Sequence, residues 1–249
     1  MICHIVGYPL KNPRSVKIWN NFFKSKKISA RMTKKQISST QLPNFIKYIK
    51  TNDKFHAMAV TMPYKKIFYK ECKIIDDYTK YSKSVNLVIK KKNTLFGYNT
   101  DILSLVNLLK TFKKKNILII GMGGVGAAIL NVFRNKYKKS NITMITSKKK
   151  KHDKRIFYYK KISEEMVKKK DLIINCTPLG SNLKKKFIEK TPIEENLFKY
   201  IDKKAIIYDL VYSPNRTKLN EICKKNKIKY VNGLKMNTLQ AKIALKIAF

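Results

Sequence analysis

Short apolar runs alternate along the chain with longer stretches in which apolar residues return every three or four positions, which predicts strands and helices in turn. Ile2–Val6 reads as a strand ahead of a helix from about Arg14 to Phe23. Ile28–Met32 reads as a second strand, ahead of a helix from about Pro43 to Ile49. His56–Thr61 then leads through Met62-Pro63 into a helix at Tyr64–Tyr69. Val85–Ile89 and Thr94–Tyr98 make a hairpin around Lys90-Lys91-Lys92-Asn93, and the helical segment Ile102–Phe112 follows. Further strands are expected at Ile117–Ile120, Ile142–Ile145, Phe157–Tyr159, Leu172–Asn175, Ala205–Leu210 and Lys229–Val231. Alternation of these strands with helices predicts a parallel, doubly wound sheet. Lys184–Asn196 reads as a charged loop, and a last helix runs from about Met236. That helix is expected to return to the first domain, because the strand before it already completes the second sheet. The expected fold is α/β in two domains: residues 1–101 joined by helix 236–249, and a Rossmann-type doubly wound unit over 102–235.

The second domain opens on the most specific local pattern. Ile117-Leu118-Ile119-Ile120 is a buried parallel strand, Gly121-Met122-Gly123-Gly124-Val125-Gly126 a G-x-G-x-x-G turn, and Ala127 onward a helix. Between strand and helix, such a turn brings backbone N–H groups to a pyrophosphate without a Cβ in the way. The plainer alternative is an ordinary Gly-rich strand-to-helix turn. An NAD site places an acid roughly 20 residues on, against the ribose 2′-hydroxyl. No acid lies between Gly126 and His152; the second strand runs into Thr146, Ser147, Lys148, Lys149, Lys150 and Lys151. Hydroxyls and ammonium groups suit a 2′-phosphate, so the expected cofactor is NADP, although four lysines also make an ordinary solvated turn.

Charge changes the picture less than its size implies. The chain of 249 residues is 44% hydrophobic and carries a formal net charge of +41, from 56 Lys and Arg against 15 Asp and Glu. Such a balance first points to nucleic acid or an anionic membrane. Yet only five basic residues are arginine (Arg14, Arg31, Arg134, Arg155, Arg216), the better group for bidentate phosphate and base recognition. The lysine runs at 90–92, 113–115, 148–151, 168–170 and 184–186 fall where elements end, and Trp19 belongs to no stacking array. Abundant Lys, Ile, Asn and Tyr fits drift toward AT-rich codons, so no specific nucleic-acid partner is expected. Cys3, Cys72, Cys176 and Cys223 form no C-x-x-C pair, and His4, His56 and His152 lack ligand spacing, so no metal site is expected. With no 18-residue apolar span and no leader-like start, the protein is expected to be soluble and cytoplasmic, without a membrane partner.

Several polar groups share a place at strand ends, where open α/β sheets bind ligands. Thr61 and Lys65 occupy a strand-to-helix junction. Asp101 follows Asn99-Thr100 at the start of a helix, where capping alone would also account for it. Asn86 puts an amide into an apolar strand, where a structural hydrogen bond is the equal alternative.

Taken together these motifs resemble the shikimate dehydrogenase family over nearly the full chain. The resemblance rests on Gly7-Tyr8-Pro9-Leu10 with Ser15 and Asn20, Val60-Thr61-Met62-Pro63-Tyr64-Lys65, Val85-Asn86 and Gly97-Tyr98-Asn99-Thr100-Asp101. It continues in Gly121-Met122-Gly123-Gly124, Asp171 to Gly180, Tyr208 to Pro214, and Gly233-Leu234-Lys235-Met236 with Gln240. It implies NADPH-dependent reduction of 3-dehydroshikimate to shikimate, in aromatic amino acid and chorismate biosynthesis, by a substrate domain and a Rossmann domain. It implies Lys65 and Asp101 as the catalytic pair, and Ser15, Thr61, Asn86, Asp101, Tyr212 and Gln240 around the substrate. Cofactor positions fall on Gly121, Met122, Gly123, Gly124, Val125, the Thr146–Lys151 segment, Leu210 and Gly233, with a further contact at Asp77. The chain would be a lysine-rich, size-reduced member, monomeric or homodimeric.

Several positions depart from the family pattern. Where the first loop usually reads His-Ser-x-Ser-Pro, this chain has Asn12-Pro13-Arg14-Ser15-Val16, so one carboxylate-binding hydroxyl is missing. Its loss would cost roughly 1–3 kcal/mol unless Arg14 compensates. Ala59, Leu87 and Ile102 replace the usual Asn, Thr and Gly, and Thr146-Ser147-Lys148 stands for Asn-Arg-Thr at the 2′-phosphate. Quinate as a second substrate, a decayed inactive relative, and a basic nucleic-acid binder are the alternative readings.

Overall fold

The computed structural model describes residues 1–10, 13–109, 116–147, 151, 152 and 154–249. It divides into two compact units, Met1–Leu105 with Leu239–Phe249, and Val106–Thr238. The first unit holds β1 (Ile2–Gly7), α1 (Arg14–Ser25), β2 (Arg31–Gln36), α2 (Leu42–Thr51), β3 (Phe55–Val60) and α3 (Lys65–Glu71). It continues with β4 (Lys73–Ile74), α4 (Asp77–Ser82), β5 (Leu87–Lys91) and β6 (Thr94–Tyr98), and α5 (Thr100–Leu109) leads out of it. The second unit holds β7 (Asn116–Ile120), α6 (Gly124–Lys136), β8 (Asn141–Ile145), β9 (Ile156–Tyr159), α7 (Glu164–Val167) and β10 (Leu172–Asn175). After β11 (Ile206–Asp209), α8 (Lys218–Lys225) and β12 (Lys229–Asn232), helix α9 (Gly233–Ala248) begins in the second unit and ends in the first.

The first sheet runs in the order β2-β1-β3-β5-β6-β4, with β1 parallel to β2 and β3, and β5 antiparallel to β3 and β6. Successive strand residues face opposite sides. Cys3, Ile5, Ala57, Leu87 and Ile89 therefore pack with Trp19 and Phe23 of α1 and Ala244, Leu245 and Ala248 of α9. Val6, Met58, Val60 and Val88 pack on the other face with Phe45 and Ile49 of α2 and Phe68 of α3. His4 shares that second face among the rings of Phe45, Tyr48 and Phe55, and its Nδ1 meets Thr33 Oγ1 at 2.9 Å. Burial, reinforced by the charge of Lys35, pushes its imidazole down to about 4.

The second sheet is parallel throughout in the order β12-β11-β10-β7-β8-β9. Its strand order reverses around β7, which makes the carboxyl ends of β7, β8 and β10 the place for a ligand. On one face Leu118, Ile120, Ile173 and Ile207 pack with Leu219, Ile222 and Cys223 of α8.

Some elements differ from the pattern reading. The second strand is Arg31–Gln36 rather than Ile28–Met32. Ile28 instead closes α1, its N–H donating to Phe23 O while Lys27 N donates to Lys24 O. That pair of bonds ends a helix through a left-handed residue, here Lys27 at φ 53°. The true strand is polar because it is an edge, with Lys34, Lys35 and Gln36 exposed. The charged segment after Lys184 contains 3-10 turns at Lys185–Phe187 and Glu195–Tyr200, and buries Ile193, Leu197 and Phe198 in the second core. The last helix starts at Gly233, three residues before Met236. Of the helix expected at Ile102–Phe112, residues 110–112 lie outside those described.

Candidate active site

In the first unit, strand register gathers Thr61, Asn86 and Asn99–Asp101 at one end of the sheet's inner strands. Val6 pairs with Val60, Ala59 with Leu87, and Leu87 with Tyr98. Beyond these pairs Thr61 N donates to Val6 O, Val60 N to Asn86 O and Asn86 N to Tyr98 O. The chain segments carrying Thr61, Asn86 and Asn99–Asp101 thus leave the sheet side by side. Lys65 follows Thr61 by one turn and opens α3; Asp101 lies in the first turn of α5. Lys65 Nζ donates to Asp101 Oδ2 at 2.6 Å, with side chains 24% and 19% exposed, so the pair is held yet reachable by a ligand.

The helix start is fixed by neighbours. Asn99 Oδ1 accepts from Ile102 N at 3.1 Å and so caps α5, while its Nδ2 donates to Ser84 Oγ at 2.7 Å and Ser82 Oγ at 3.0 Å. Asp101 is therefore free of capping duty. Asn86 Oδ1 accepts from Thr100 N at 2.7 Å and from Thr100 Oγ1 at 3.1 Å. The Thr100 hydroxyl also meets Gln240 Oε1 at 3.1 Å, which brings the final helix to the group. Ser15 lies half-buried in the first turn of α1 and forms no hydrogen bond to these residues. Pro13 is the N-cap of α1 and supplies no side-chain acceptor there; Asn12 lies outside the described residues. Asp77 opens α4, exposed, with its neighbour Asp76 accepting from Thr79 N at 2.9 Å.

The second unit carries the Gly turn. Gly121 adopts φ +95°, and a Cβ at Gly126 would sit 1.9 Å from Gly121 O, so both positions require glycine. Gly123 and Gly124 face open space, with nothing within 4 Å of a built Cβ. Gly123 starts α6 without a side-chain cap. Its first N–H groups are thus presented to solvent or an anion, as a dinucleotide pyrophosphate requires. Beside them lies a cleft of about 480 Å³ lined by Gly121, Met122, Gly123, Thr146, Ser147 and Lys160, among others. That volume is in the range of small-ligand sites, ~300–1,000 Å³. Val125 is exposed in the first turn of α6, and Lys151 is exposed outside the cleft lining. Lys148, Lys149 and Lys150 lie outside the described residues.

Thr177 and Leu179, from the Asp171–Gly180 motif, also line this cleft without having been assigned to the cofactor, and Pro192 and Lys160 line it from outside any motif. Thr177 N and Oγ1 both donate to Asn175 Oδ1, at 2.9 and 2.7 Å. Asn175 Nδ2 in turn donates to Asp209 Oδ1 at 2.9 Å, and Asp209 also accepts from Val211 N and from Tyr230 Oη. Burial pushes the Asp209 carboxyl up, and those hydrogen bonds pull it down. The network ties the ends of β10 and β11 together and sets the backbone of Leu210 and Val211. Leu210 N donates to Asn175 O and Gly233 N to Val211 O, at 3.0 and 3.1 Å, and Tyr212 stays 42% exposed.

Among the described residues no cluster of metal-ligating side chains occurs and no helix is long and apolar enough to cross a membrane. All four thiols are unpaired. Burial pushes Cys3, Cys72 and Cys223 up to about 12 and raises Cys176 as well, which leaves no activated nucleophile among them.

Residues 5–88 match the family model of the shikimate dehydrogenase substrate binding domain. Shikimate dehydrogenase (NADP(+)) of Clostridium botulinum strain Hall is 31% identical over 252 residues, covering 97% of this chain and 93% of that protein. The enzyme of the same name from Pelagibacter ubique is 31% identical over 253 residues, covering 98% and 91%. The chain belongs to the shikimate dehydrogenase family. The fold agrees: shikimate dehydrogenase 1 of Peptoclostridium difficile superimposes with a TM-score of 0.76 at 26% identity, over 99% of this chain and 90% of that one. The two-unit α/β architecture, with a Rossmann-type second sheet, is that of this family.

Proposed function

We propose that the protein reduces 3-dehydroshikimate to shikimate with NADPH, with Lys65 as general acid and base and Asp101 as its partner. The observation that carries the reading is the 2.6 Å Lys65–Asp101 pair, held at one end of the sheet and left partly open, in a chain of this family. When bound, NADPH supplies the hydride that the ring ketone accepts at carbon. The Lys65 ammonium gives its proton to the carbonyl oxygen as negative charge builds there. Asp101 orients that ammonium by its hydrogen bond and accepts from a substrate hydroxyl. Asn86 spends its carbonyl on Thr100, so its Nδ2 is the group offered to substrate. Ser15, Thr61 and Gln240 complete the polar surround that a polyhydroxylated ring acid needs. In the second unit the Gly121–Val125 turn takes the pyrophosphate, Thr146, Ser147 and the following lysines the 2′-phosphate, and Leu210 and Gly233 the remainder of the cofactor.

The domain division supported by this reading places the substrate in the first unit and the cofactor in the second. A cytoplasmic home agrees with four unpaired thiols. The chain works on small molecules, without a specific nucleic-acid partner, as a monomer or homodimer. The test is 3-dehydroshikimate-dependent oxidation of NADPH, followed at 340 nm on the purified protein, with quinate and NADP⁺ in a parallel reverse assay. Turnover of 3-dehydroshikimate with NADPH ahead of NADH is the expected result; no turnover with either cofactor overturns it.

A further inference from the structure

We propose that Lys160, contributed by the strand next to β8, binds the 2′-phosphate of the cofactor and is a determinant of NADPH over NADH. The inference rests on the cofactor reading above and adds a residue from a separate part of the chain. Strand β9 pairs in parallel with β8, Ile145 opposite Tyr159. One step further on, Thr146 N donates to Tyr159 O at 2.8 Å. That bond fixes the residue after Tyr159 beside Thr146-Ser147, the segment following β8 where a dinucleotide's adenosine ribose is read.

Lys160 lines the same cleft as Gly121, Thr146 and Ser147, and among the described residues it is the charged one lining it. Among the described residues no salt bridge holds it and no acid lines the cleft beside it. A 2′-hydroxyl gains nothing from such a cation, whereas a 2′-phosphate gains a charge-assisted hydrogen bond. The stretch after β8 carries ammonium groups but no guanidinium, the next arginine being Arg155. Arg155 is committed elsewhere, its Nη1 donating to Lys138 O at 2.6 Å beyond the end of α6.

The experiment measures binding without turnover. Dissociation constants of NADPH, NADH, 2′,5′-ADP and 5′-AMP are determined by calorimetry for the wild type, Lys160→Gln and Lys160→Arg. Lys160→Gln should weaken NADPH and 2′,5′-ADP about tenfold, as expected for one charge-assisted contact. NADH and 5′-AMP should stay within about twofold, and Lys160→Arg should stay near wild type; their retained binding also reports an intact fold. An equal loss for all four ligands, or no loss for any, overturns the assignment of Lys160. A wild type that itself fails to prefer NADPH would instead overturn the cofactor reading on which the assignment stands.

Discussion

At the scale of single residues, the Lys65–Asp101 ion pair joins two elements, and its proposed acid–base role follows from that placement. Lys65 opens α3 and Asp101 sits in the first turn of α5, with Asn99 doing the capping that would otherwise occupy a carboxylate. Replacing Lys65 by Ala should lower kcat by about 10²–10⁴. The dissociation constant of NADPH should stay within about twofold, since the Gly turn belongs to the other unit. Steady-state kinetics beside calorimetry separate the two effects; a variant that keeps most of its turnover would remove Lys65 from its role. That Lys65, Asp101 and Asn86 come together was legible in the sequence because each lies in a motif at a strand end or helix start, whereas Gln240, in the middle of α9, was reached only through the family resemblance. Thr100 as the hydroxyl joining Asn86 to Gln240 was not, since that join spans 140 residues of sequence. Pro192 and Lys160 were missed for the same reason, since nothing local marks a residue whose distinction is the neighbour that folding gives it, while Thr177 and Leu179 stood in a motif without an assigned contact.

At the scale of elements, helix ends show how this composition shapes local structure. Both α1 and α8 end through a left-handed residue, and in both that residue is lysine: Lys27 at φ 53° and Lys227 at φ 56°. The α8 end repeats the bonds of α1, with Ile228 N donating to Cys223 O and Lys227 N to Lys224 O. Glycine is the usual occupant, because a Cβ in this conformation costs roughly 1–2 kcal/mol. Part of that cost is offset by the extra freedom glycine gives the unfolded chain. Lys27→Gly and Lys227→Gly should each therefore stabilise by about 0.5–1 kcal/mol, or roughly 2 °C in Tm. Urea or thermal unfolding of the two variants checks this; unchanged or lowered midpoints would show that the lysine stems return the cost by packing. The same motif explains why the strand near Ile28 was misplaced. An apolar residue just past a helix reads as the start of a strand, while the real edge strand, rich in lysine, does not read as one. The strands Ile117–Ile120, Ile142–Ile145 and Leu172–Asn175, buried on both faces, were legible almost to the residue.

At the scale of the whole molecule, the charge of +41 is a field as well as a composition. Both ligands of the proposed reaction are anions, so the field should raise their local concentration. Raising ionic strength from about 0.02 to about 0.2 M should increase KM for NADPH and 3-dehydroshikimate several-fold, with kcat little changed, because the Debye length shrinks to about the size of a side chain. Kinetics at matched pH with added KCl measure it, and flat KM values would show that the field does not reach either ligand. The path of the chain carries a different consequence. The core of the first unit is finished by Ala244, Leu245 and Ala248, with Phe249 against Trp19 at 6.1 Å. Those residues are synthesised after the whole second unit. On the ribosome, the half that is made first must wait incomplete, one face of its sheet covered by α1 alone, while the half that is made later can finish folding ahead of it. Order of birth and order of maturity are reversed, and the growing chain is most in need of a chaperone at its beginning.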